Sequence, residues 1–295
     1  MRNNYDFVKN NPVLFKQFSC KKLLFLIMDC PPEFTKGEDW SEHNCFLHVL
    51  TGEKHLFNRE RSWHLKKGSS AFLKKGGIGI EKLGNEPFCV LMFYVPDEYI
   101  CSFIRENTGL LSAADTTVVC KDQVVPIQTN EVMNAFYESV LAYFSSSTEP
   151  HENLLELKFR ELLMNLMSTN DNTALNAYFC KLVNPHALND LQDVMENNFL
   201  FDLQLHEFAR LCHRSLSSFK RDFYLAYKTT PGRWLLEKRL DVSRRLLLHT
   251  AKPIRDVVHE SGFKNATHFD RVFKKHFGVA PLQYRLHERA LIETN

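Results

Sequence analysis

The chain has 295 residues, of which 44% are hydrophobic and 24% charged, and its formal net charge is +2. This length and composition predict two globular domains, and without a run of about 18 apolar residues we expect no membrane span. The first 15 residues lack the apolar core of a signal peptide, and the eight cysteines show no C-x-x-C spacing. We therefore expect a cytoplasmic protein with reduced thiols and no zinc site.

Charge is divided unevenly along the chain. Residues 1–185 carry 19 Lys and Arg against 22 Asp and Glu, a net charge of −3. Residues 186–295 carry 18 against 13, a net charge of +5. A basic carboxyl-terminal part is the electrostatic signature expected of a protein that contacts DNA phosphates.

Short apolar runs separated by glycine-containing turns occupy the first 95 residues. Residues 23–28 and 88–95 have the length and composition of buried strands, and residues 45–57 indicate a hairpin. Regularly spaced short strands favour a small β-barrel or jelly roll. The aromatic residues of this region either line a ligand pocket or form an ordinary core. They are Phe46, Phe57, Trp63, Phe72, Phe88 and Phe93.

Four histidines in the same region raise the alternative of a metal-dependent cupin enzyme. Cupin enzymes bind metal through a closely spaced His-x-His pair, a glutamate and a distant histidine, and that spacing does not occur here. Because first-row metals need three or four placed ligands, we expect no metal, no other cofactor and no enzymatic activity. The histidines are His43, His48, His55 and His64.

Two helices are predicted after the strands. Residues 130–144 and 152–167 repeat apolar side chains at helical spacing, and a run of serine, threonine and proline separates them. Packing against the sheet is the simplest role for their apolar faces. A polar, turn-forming stretch then predicts a linker at residues 169–185, following an amino-terminal domain of residues 1–168. Residues 174–186 predict a short helix before the next domain begins.

Residues 186–290 predict an all-helical domain built on a duplicated motif. In the second copy, Gly262 separates two helical patterns, and the later helix carries a stripe of apolar side chains that includes Phe269. A shift of fifty residues recovers the first copy, in which Phe219 takes the matching place. Helix, turn and helix is the pattern of a DNA-binding motif, and residues 232–248 join the copies as one predicted helix.

The exposed faces of the two later helices are polar near the amino terminus and basic further on. This composition is expected of recognition helices that enter the DNA major groove. A connecting helix of roughly 25 Å suits entry into successive major grooves, about 34 Å apart. The alternative is the ordinary solvent-exposed face of an amphipathic helix.

From about Leu188 to Arg289 the chain resembles the DNA-binding domain of the AraC/XylS family of bacterial transcription regulators. The stretch from Leu50 to Gly68 resembles the cupin-like sensing domains that precede this domain in the family. The match is most specific in the second copy of the motif. The matching positions are Arg239, Leu240, Leu246, Leu247, Ile254, Gly262, Phe263, Phe269, Arg271, Phe273, Lys274, Gly278, Pro281, Tyr284 and Arg285.

The first copy departs from the family pattern at two positions. His213 and Lys228 stand where the family usually has glycine, and any other residue in a left-handed backbone costs on the order of 1 kcal/mol. We therefore expect the first copy to read DNA less strictly than the second. In the second copy, Pro253 replaces a usual capping serine, and a proline is tolerated in the first turn of a helix.

The resemblance also implies which side chains contact DNA. Arg221 and Arg271 are the strongest candidates, because a guanidinium can form two hydrogen bonds with guanine, worth about 1–3 kcal/mol. The alternatives for them are a phosphate contact or a salt bridge to Asp222 or Asp270. By matched position, the base contacts are Leu216, Ser217, Lys220, Arg221, Ala266, Thr267, Asp270 and Arg271. Cations outside these faces are candidates for phosphate contacts, which fix register: Lys238, Arg244, Arg245, Lys274, Lys275 and Arg285.

The fold implied is α+β multidomain, with a cupin-like β-barrel or jelly roll and two helices, then an all-α domain with two helix-turn-helix units joined by a linker helix. The function implied is a sequence-specific transcription regulator, more often an activator, controlled through its amino-terminal domain. Its partners would be promoter DNA, RNA polymerase and a second copy of the chain, bound through residues 130–144 and 152–167. The controlling signal is either a small-molecule effector or a protein partner.

Overall fold

The computed structural model describes residues 1–30, 36–58, 61–84, 86–110, 120, 122–183 and 187–293. The chain divides into two compact units: residues 2–186 form one, and residues 187–295 together with Met1 form the other. The first unit combines strands and helices, and the second is helical, which confirms the predicted α+β multidomain fold. No helix among these described residues is long and apolar enough to cross a membrane.

The amino-terminal unit contains two β-sheets that share a core. The strands are β1 Arg2–Asn3, β2 Gln17–Cys20, β3 Leu23–Cys30, β4 Lys36–Ser41, β5 Asn44–Thr51, β6 Glu53–Phe57, β7 Ser62–Lys66, β8 Ser70–Leu73, β9 Gly76–Leu83, β10 Phe88–Val95 and β11 Val124–Ile127. One sheet has the order β1-β4-β9-β6-β7, and the other has the order β11-β8-β5-β10-β3-β2. This β-sandwich confirms the predicted β-rich domain, whereas its cupin-like character stays a prediction.

Strand β10 accounts for the continuous apolar run at residues 88–95. Its Leu91 and Phe93 face a core shared with helices, whereas Val90 and Met92 face the core between the two sheets. A sheet that is buried on both faces needs apolar side chains at every position. The aromatics predicted as core or pocket divide in the same way, since Phe46, Phe72 and Phe93 pack in the helix-side core and Phe88 packs between the sheets.

Five helices complete this unit: α1 Asn4–Lys9, α2 Asp97–Glu106, α3 Glu131–Ser145, α4 Glu152–Met167 and α5 Thr173–Val183. Helices α3 and α4 confirm the two helices predicted from apolar spacing. Helix α5 confirms the short helix predicted at residues 174–186. It is not an exposed linker segment, because its Leu175 and Phe179 are fully buried in the core of this unit. The local polarity that suggested a linker belongs only to the short turn before α5. The domain limits 1–168 and 186–290 stay predictions.

The described residues of the carboxyl-terminal unit form seven helices and the segments that join them. The helices are α6 Ala187–Asn198, α7 Leu205–Leu211, α8 Leu216–Tyr227, α9 Pro231–His249, α10 Ile254–Glu260, α11 Ala266–Phe277 and α12 Pro281–Glu293. The predicted caps are confirmed, because Ser215 Oγ accepts from the backbone of Ser218 at 3.2 Å and Asn265 Oδ1 accepts from that of His268 at 3.1 Å. Helix α9 has 19 residues, roughly 28 Å, and matches the predicted connecting helix.

Candidate nucleic-acid interface

The two helix-turn-helix units, α7–α8 and α10–α11, share one internal construction. Phe219 and Phe223 of α8 are fully buried, and so are Phe269 and Phe273 of α11. Each pair holds its helix against the rest of the unit, so the opposite face of the helix lies in solvent. All eight side chains predicted to contact bases are exposed: Leu216, Ser217, Lys220, Arg221, Ala266, Thr267, Asp270 and Arg271.

The turns of the two units differ at the residues with left-handed backbone. His213 has a φ of 53° where the second unit has Gly262 at 82°, and Lys228 has a φ of 53° where the second has Gly278 at 83°. The departures from the family pattern therefore fall on left-handed positions, as predicted. A side chain there costs about 1–2 kcal/mol, so the backbone strain is concentrated in the first unit.

Arg221 is paired within its own helix. Its Nε donates to Asp222 Oδ1 at 3.1 Å, and one terminal nitrogen donates to Ser218 Oγ at 3.3 Å. The Nε of Arg214 lies 3.5 Å from the other oxygen of Asp222. The Arg221 side chain is 69% exposed, and such a pair contributes less than about 1 kcal/mol. The guanidinium can therefore exchange Asp222 for a base or a phosphate at little cost.

Arg271 has a different neighbour from the one considered in the sequence. A terminal nitrogen of its guanidinium lies 3.3 Å from His268 Nδ1, one helical turn earlier. The same face of α11 forms a wall of a shallow cleft of about 410 Å³. The cleft is lined by Ile254, Thr267, Asp270, Arg271, Lys274, Ala280, Pro281 and Leu282.

Four of the six predicted phosphate contacts are exposed. Arg244 and Arg245 lie on the solvent side of α9. Lys274 and Lys275 lie in the last turn of α11 and are also exposed. Their positions place positive charge on the connecting helix and beyond the polar face of α11.

Lys238 and Arg285 are more constrained. The Nζ of Lys238 lies 2.8 Å from Glu196 and 5.0 Å from the ring centre of Trp234. Arg285 is half-buried on α12. A phosphate contact by Lys238 would have to compete with its carboxylate partner, so these two cations are weaker candidates than the other four.

Tyr224 lies on the outer face that the repeat predicted, and the structure adds the hydrogen-bond partners of Arg239. Tyr224 is 55% exposed on α8 and lies fifty residues before Lys274, so the repeat was the signal for placing it at the interface. Arg239, which matches the family pattern, donates to the carbonyl oxygens of Phe199 and Phe201 at 2.7 and 2.9 Å. Its role is structural, because it joins α9 to the chain after α6.

The core of the β-sandwich offers little room for an effector. A cavity between the sheets has a volume of about 70 Å³, whereas sites for drug-sized ligands have about 300–1,000 Å³. Its lining is mostly apolar and includes Leu47, Leu56 and Met92. An organic effector in this place would require the two sheets to move apart.

Two of the histidines considered as metal ligands contact each other, since the ring centres of His55 and His64 lie 5.0 Å apart, whereas His48 lies elsewhere. His48 stacks on Tyr137 with ring centres 3.9 Å apart, and its Nδ1 lies 2.8 Å from Ser70 Oγ. Burial lowers the pKa of His48 to about 4. His64 lies on the other sheet, 2.8 Å from Glu53. Among the residues that the structure describes, no group of three or more His, Cys, Asp or Glu side chains is arranged to hold a metal ion.

Two regions of the chain match described protein families. Residues 44–178 match the ExsA N-terminal regulatory domain, and residues 208–287 match a helix-turn-helix domain. These two regions coincide with the β-sandwich unit and with the paired helix-turn-helix units.

The relatives extend over most of the chain. The virulence regulon transcriptional activator VirF of Yersinia enterocolitica is 26% identical over 81% of this chain and 87% of its own length. The HTH-type transcriptional regulator ExsA of Pseudomonas aeruginosa is 25% identical over 80% of this chain and 84% of its own. The crystal structure of ToxT from Vibrio cholerae covers 90% of this chain and 98% of its own, with 14% identity and a TM-score of 0.44. The chain therefore combines an ExsA-type regulatory domain with an AraC-type helix-turn-helix domain, and these relatives, which it matches along most of its length, are transcriptional regulators.

Proposed function

We propose that the chain is a sequence-specific transcriptional activator that reads two successive major grooves of promoter DNA with α8 and α11. One observation carries the proposal: two helix-turn-helix units of the same construction each bury a phenylalanine pair and expose a polar and basic face. The names of VirF, an activator, and ExsA, a regulator, support the same function. RNA polymerase is the expected partner, and the cytoplasm is the expected location. No enzymatic activity is proposed.

Within each recognition helix, the exposed residues nearest its amino terminus would contact bases. Arg221 and Arg271 would read guanine, while Leu216 and Ala266 would offer only apolar contact, for instance to a thymine methyl group. Arg244 and the other exposed cations would contact phosphates and fix the register. The DNA-binding part would be residues 186–290, and the amino-terminal part proposed as residues 1–168 would extend through α5, which packs in its core.

In the test, the full-length protein selects sequences from a pool of randomised double-stranded DNA, and the bound DNA is sequenced. We expect a motif of two short boxes about one helical turn apart. Replacing Arg221 and Arg271 together with Ala should then abolish the preference, with a loss of at least about tenfold for each arginine. The matched control replaces Lys66 and Lys67 with Ala. Both lysines are exposed on the β-sandwich, and their replacement removes the same charge. Equal affinity and selectivity in the two double variants would overturn the assignment of the arginines.

Self-association through α3 and α4 belongs to the same proposal. Leu154, Leu157 and Met164 lie on one side of α4 and are 39%, 61% and 36% exposed, and apolar side chains that stay exposed on one face favour a protein interface. We expect sedimentation velocity to give a dimer that Leu157→Glu dissociates. Leu225→Glu is the control, because Leu225 is also 61% exposed but lies on α8. A monomeric wild-type protein at micromolar concentration would exclude this interface.

Control of activity would act through the amino-terminal unit, which matches a regulatory domain. The small volume between its sheets, about 70 Å³, favours a protein partner over an organic effector held in the sandwich. Full-length protein that selects its DNA motif without any added compound would support this choice. A motif that appears only with a small-molecule extract of the host cell would favour the effector.

A further inference from the structure

Cys30 and Lys54 meet between the two sheets of the β-sandwich. The Nζ of Lys54 lies 2.7 Å from the Sγ of Cys30. Cys30 ends β3 in the six-stranded sheet, and Lys54 lies in β6 of the five-stranded sheet. Phe88, the register partner of Cys30 on β10, has its ring centre 4.3 Å from the same amine. An amine and a thiol are therefore in contact across the core.

The position of Lys54 is unusual for a lysine. It is only 5% exposed, and the residues beside it on the inner face of the sheet, Leu56 and Leu65, are apolar and each 6% exposed. Lysine is rarely buried this deeply. Cys30 is only partly buried, whereas the amine that its sulfur contacts is almost fully buried.

We propose that Cys30 and Lys54 form a modification site, at which hydrogen peroxide or a similar small peroxide couples the two side chains through a covalent S–N bond. In the first step the thiol of Cys30 is oxidised by one peroxide to a sulfenic acid, and one water is released. In the second step the nitrogen of Lys54 attacks the sulfur through the lone pair of its deprotonated form and displaces the hydroxyl group, which leaves as water with a proton from the nitrogen. The pair loses two hydrogens in total, and the peroxide is reduced to water.

The contact distance favours coupling over further oxidation. A sulfenic acid normally reacts with a second thiol or a backbone nitrogen. Here the nitrogen that would attack, Nζ of Lys54, already lies 2.7 Å from Sγ of Cys30. A reducing thiol would reverse the reaction by attacking the sulfur and releasing the amine. The product would join the two sheets covalently through residues 24 positions apart in sequence.

Cys89 provides a matched cysteine in the same sheet. It lies beside the Phe88–Cys30 pair, in register with Asp29, and is also partly buried. Burial and the neighbouring Asp29 carboxylate raise the pKa of Cys89 to about 12, which suppresses the thiolate that attacks peroxide. Burial also raises the pKa of Cys20 and Cys101. These three thiols are therefore expected to react slowly with peroxide.

The test is peptide mapping of the full-length protein after treatment with hydrogen peroxide. We expect a cross-linked species about 2 Da lighter than the sum of its two peptides, loss of tryptic cleavage after Lys54, and recovery of both normal peptides with dithiothreitol. Cys89→Ser should leave the cross-link unchanged, and Cys30→Ser should abolish it. Lys54→Arg should replace it with a sulfenic acid that dimedone traps.

Several results would overturn the proposal. Coupling to Lys54 would be excluded if Cys30 of the wild-type protein is recovered only as the thiol, the dimedone adduct or a higher oxide. A cross-link from Cys30 that persists in Lys54→Arg would assign the nitrogen to another residue. If either variant fails to fold, as judged by circular dichroism, the mapping of the wild-type and Cys89→Ser proteins decides alone.

Discussion

The hydroxyl of Tyr178 donates a hydrogen bond of 3.0 Å to Oδ1 of Asn44, across 134 positions of sequence. Asn44 is fully buried, and its amide donates to Asp97 at 2.6 Å. Asp97 in turn forms an ion pair of 2.7 Å with Lys75, and both side chains are largely buried. The cluster ties α5, the last helix before the carboxyl-terminal unit, to the sheet and to the start of α2.

Asn44→Ala is expected to lower the free energy of unfolding by about 2–4 kcal/mol, because it leaves Tyr178 and Asp97 buried without this partner. Urea denaturation followed by circular dichroism measures the change. Asn153→Ala, at an exposed position of α4, is the control and should stay within about 0.5 kcal/mol of the wild type. Similar losses in the two variants would show that the cluster contributes little.

Substitutions at the left-handed positions of the two helix-turn-helix units should change the stability of the protein in opposite directions. Gly262→Ala adds a Cβ only 2.8 Å from the carbonyl oxygen of Leu200 in addition to left-handed strain, and should cost about 2 kcal/mol or more. Gly278→Ala meets nothing within 4 Å and should cost only the strain, about 1 kcal/mol. His213→Gly removes strain from the first turn and should raise the melting temperature. Thermal melting ranks the three variants, and a stabilised Gly262→Ala protein would contradict the described turn.

The acid stability of the protein should depend on His48. Burial lowers its pKa to about 4 from the ordinary 6.5, so between these values the unfolded chain takes up a proton that the folded protein does not. The stability that the neutral ring provides is therefore fully present above pH 6.5 and is lost as the pH falls towards 4. His48→Gln should lose less melting temperature than the wild type between about pH 7 and pH 5.

The control for this pH dependence is His64→Gln. His64 is exposed on the other sheet, and this variant should follow the wild-type profile. If His48→Gln and the wild type lose the same melting temperature over this range, the acid sensitivity arises at other groups.

Local signals explain most of what the sequence predicted correctly. Ser215 and Asn265 cap their helices, and the phenylalanine spacing alone separates the buried face of α11 from the exposed one. The short helix predicted at residues 174–186 corresponds to α5, but its place in the amino-terminal core was not predicted, because only the tertiary structure shows where Leu175 packs. The contact of Cys30 with Lys54 was invisible for the same reason, since it depends on how two sheets face each other. A base contact by Arg271 stays a prediction, because it depends on a DNA partner that the sequence does not contain.

The salt dependence of DNA binding should separate exposed from paired cations. Arg244 and Arg245 are exposed on α9, and each phosphate contact contributes about 0.9 to the slope of log affinity against log salt concentration. Replacing both with Ala should therefore lower the slope by about 2 and weaken binding similarly for all DNA sequences. Lys238→Ala should lower it by clearly less than 1, because Lys238 is held 2.8 Å from Glu196. Fluorescence anisotropy across a salt series measures both slopes. If Lys238→Ala lowers the slope as much as removal of one exposed arginine, the ion pair with Glu196 opens on DNA and Lys238 joins the phosphate contacts.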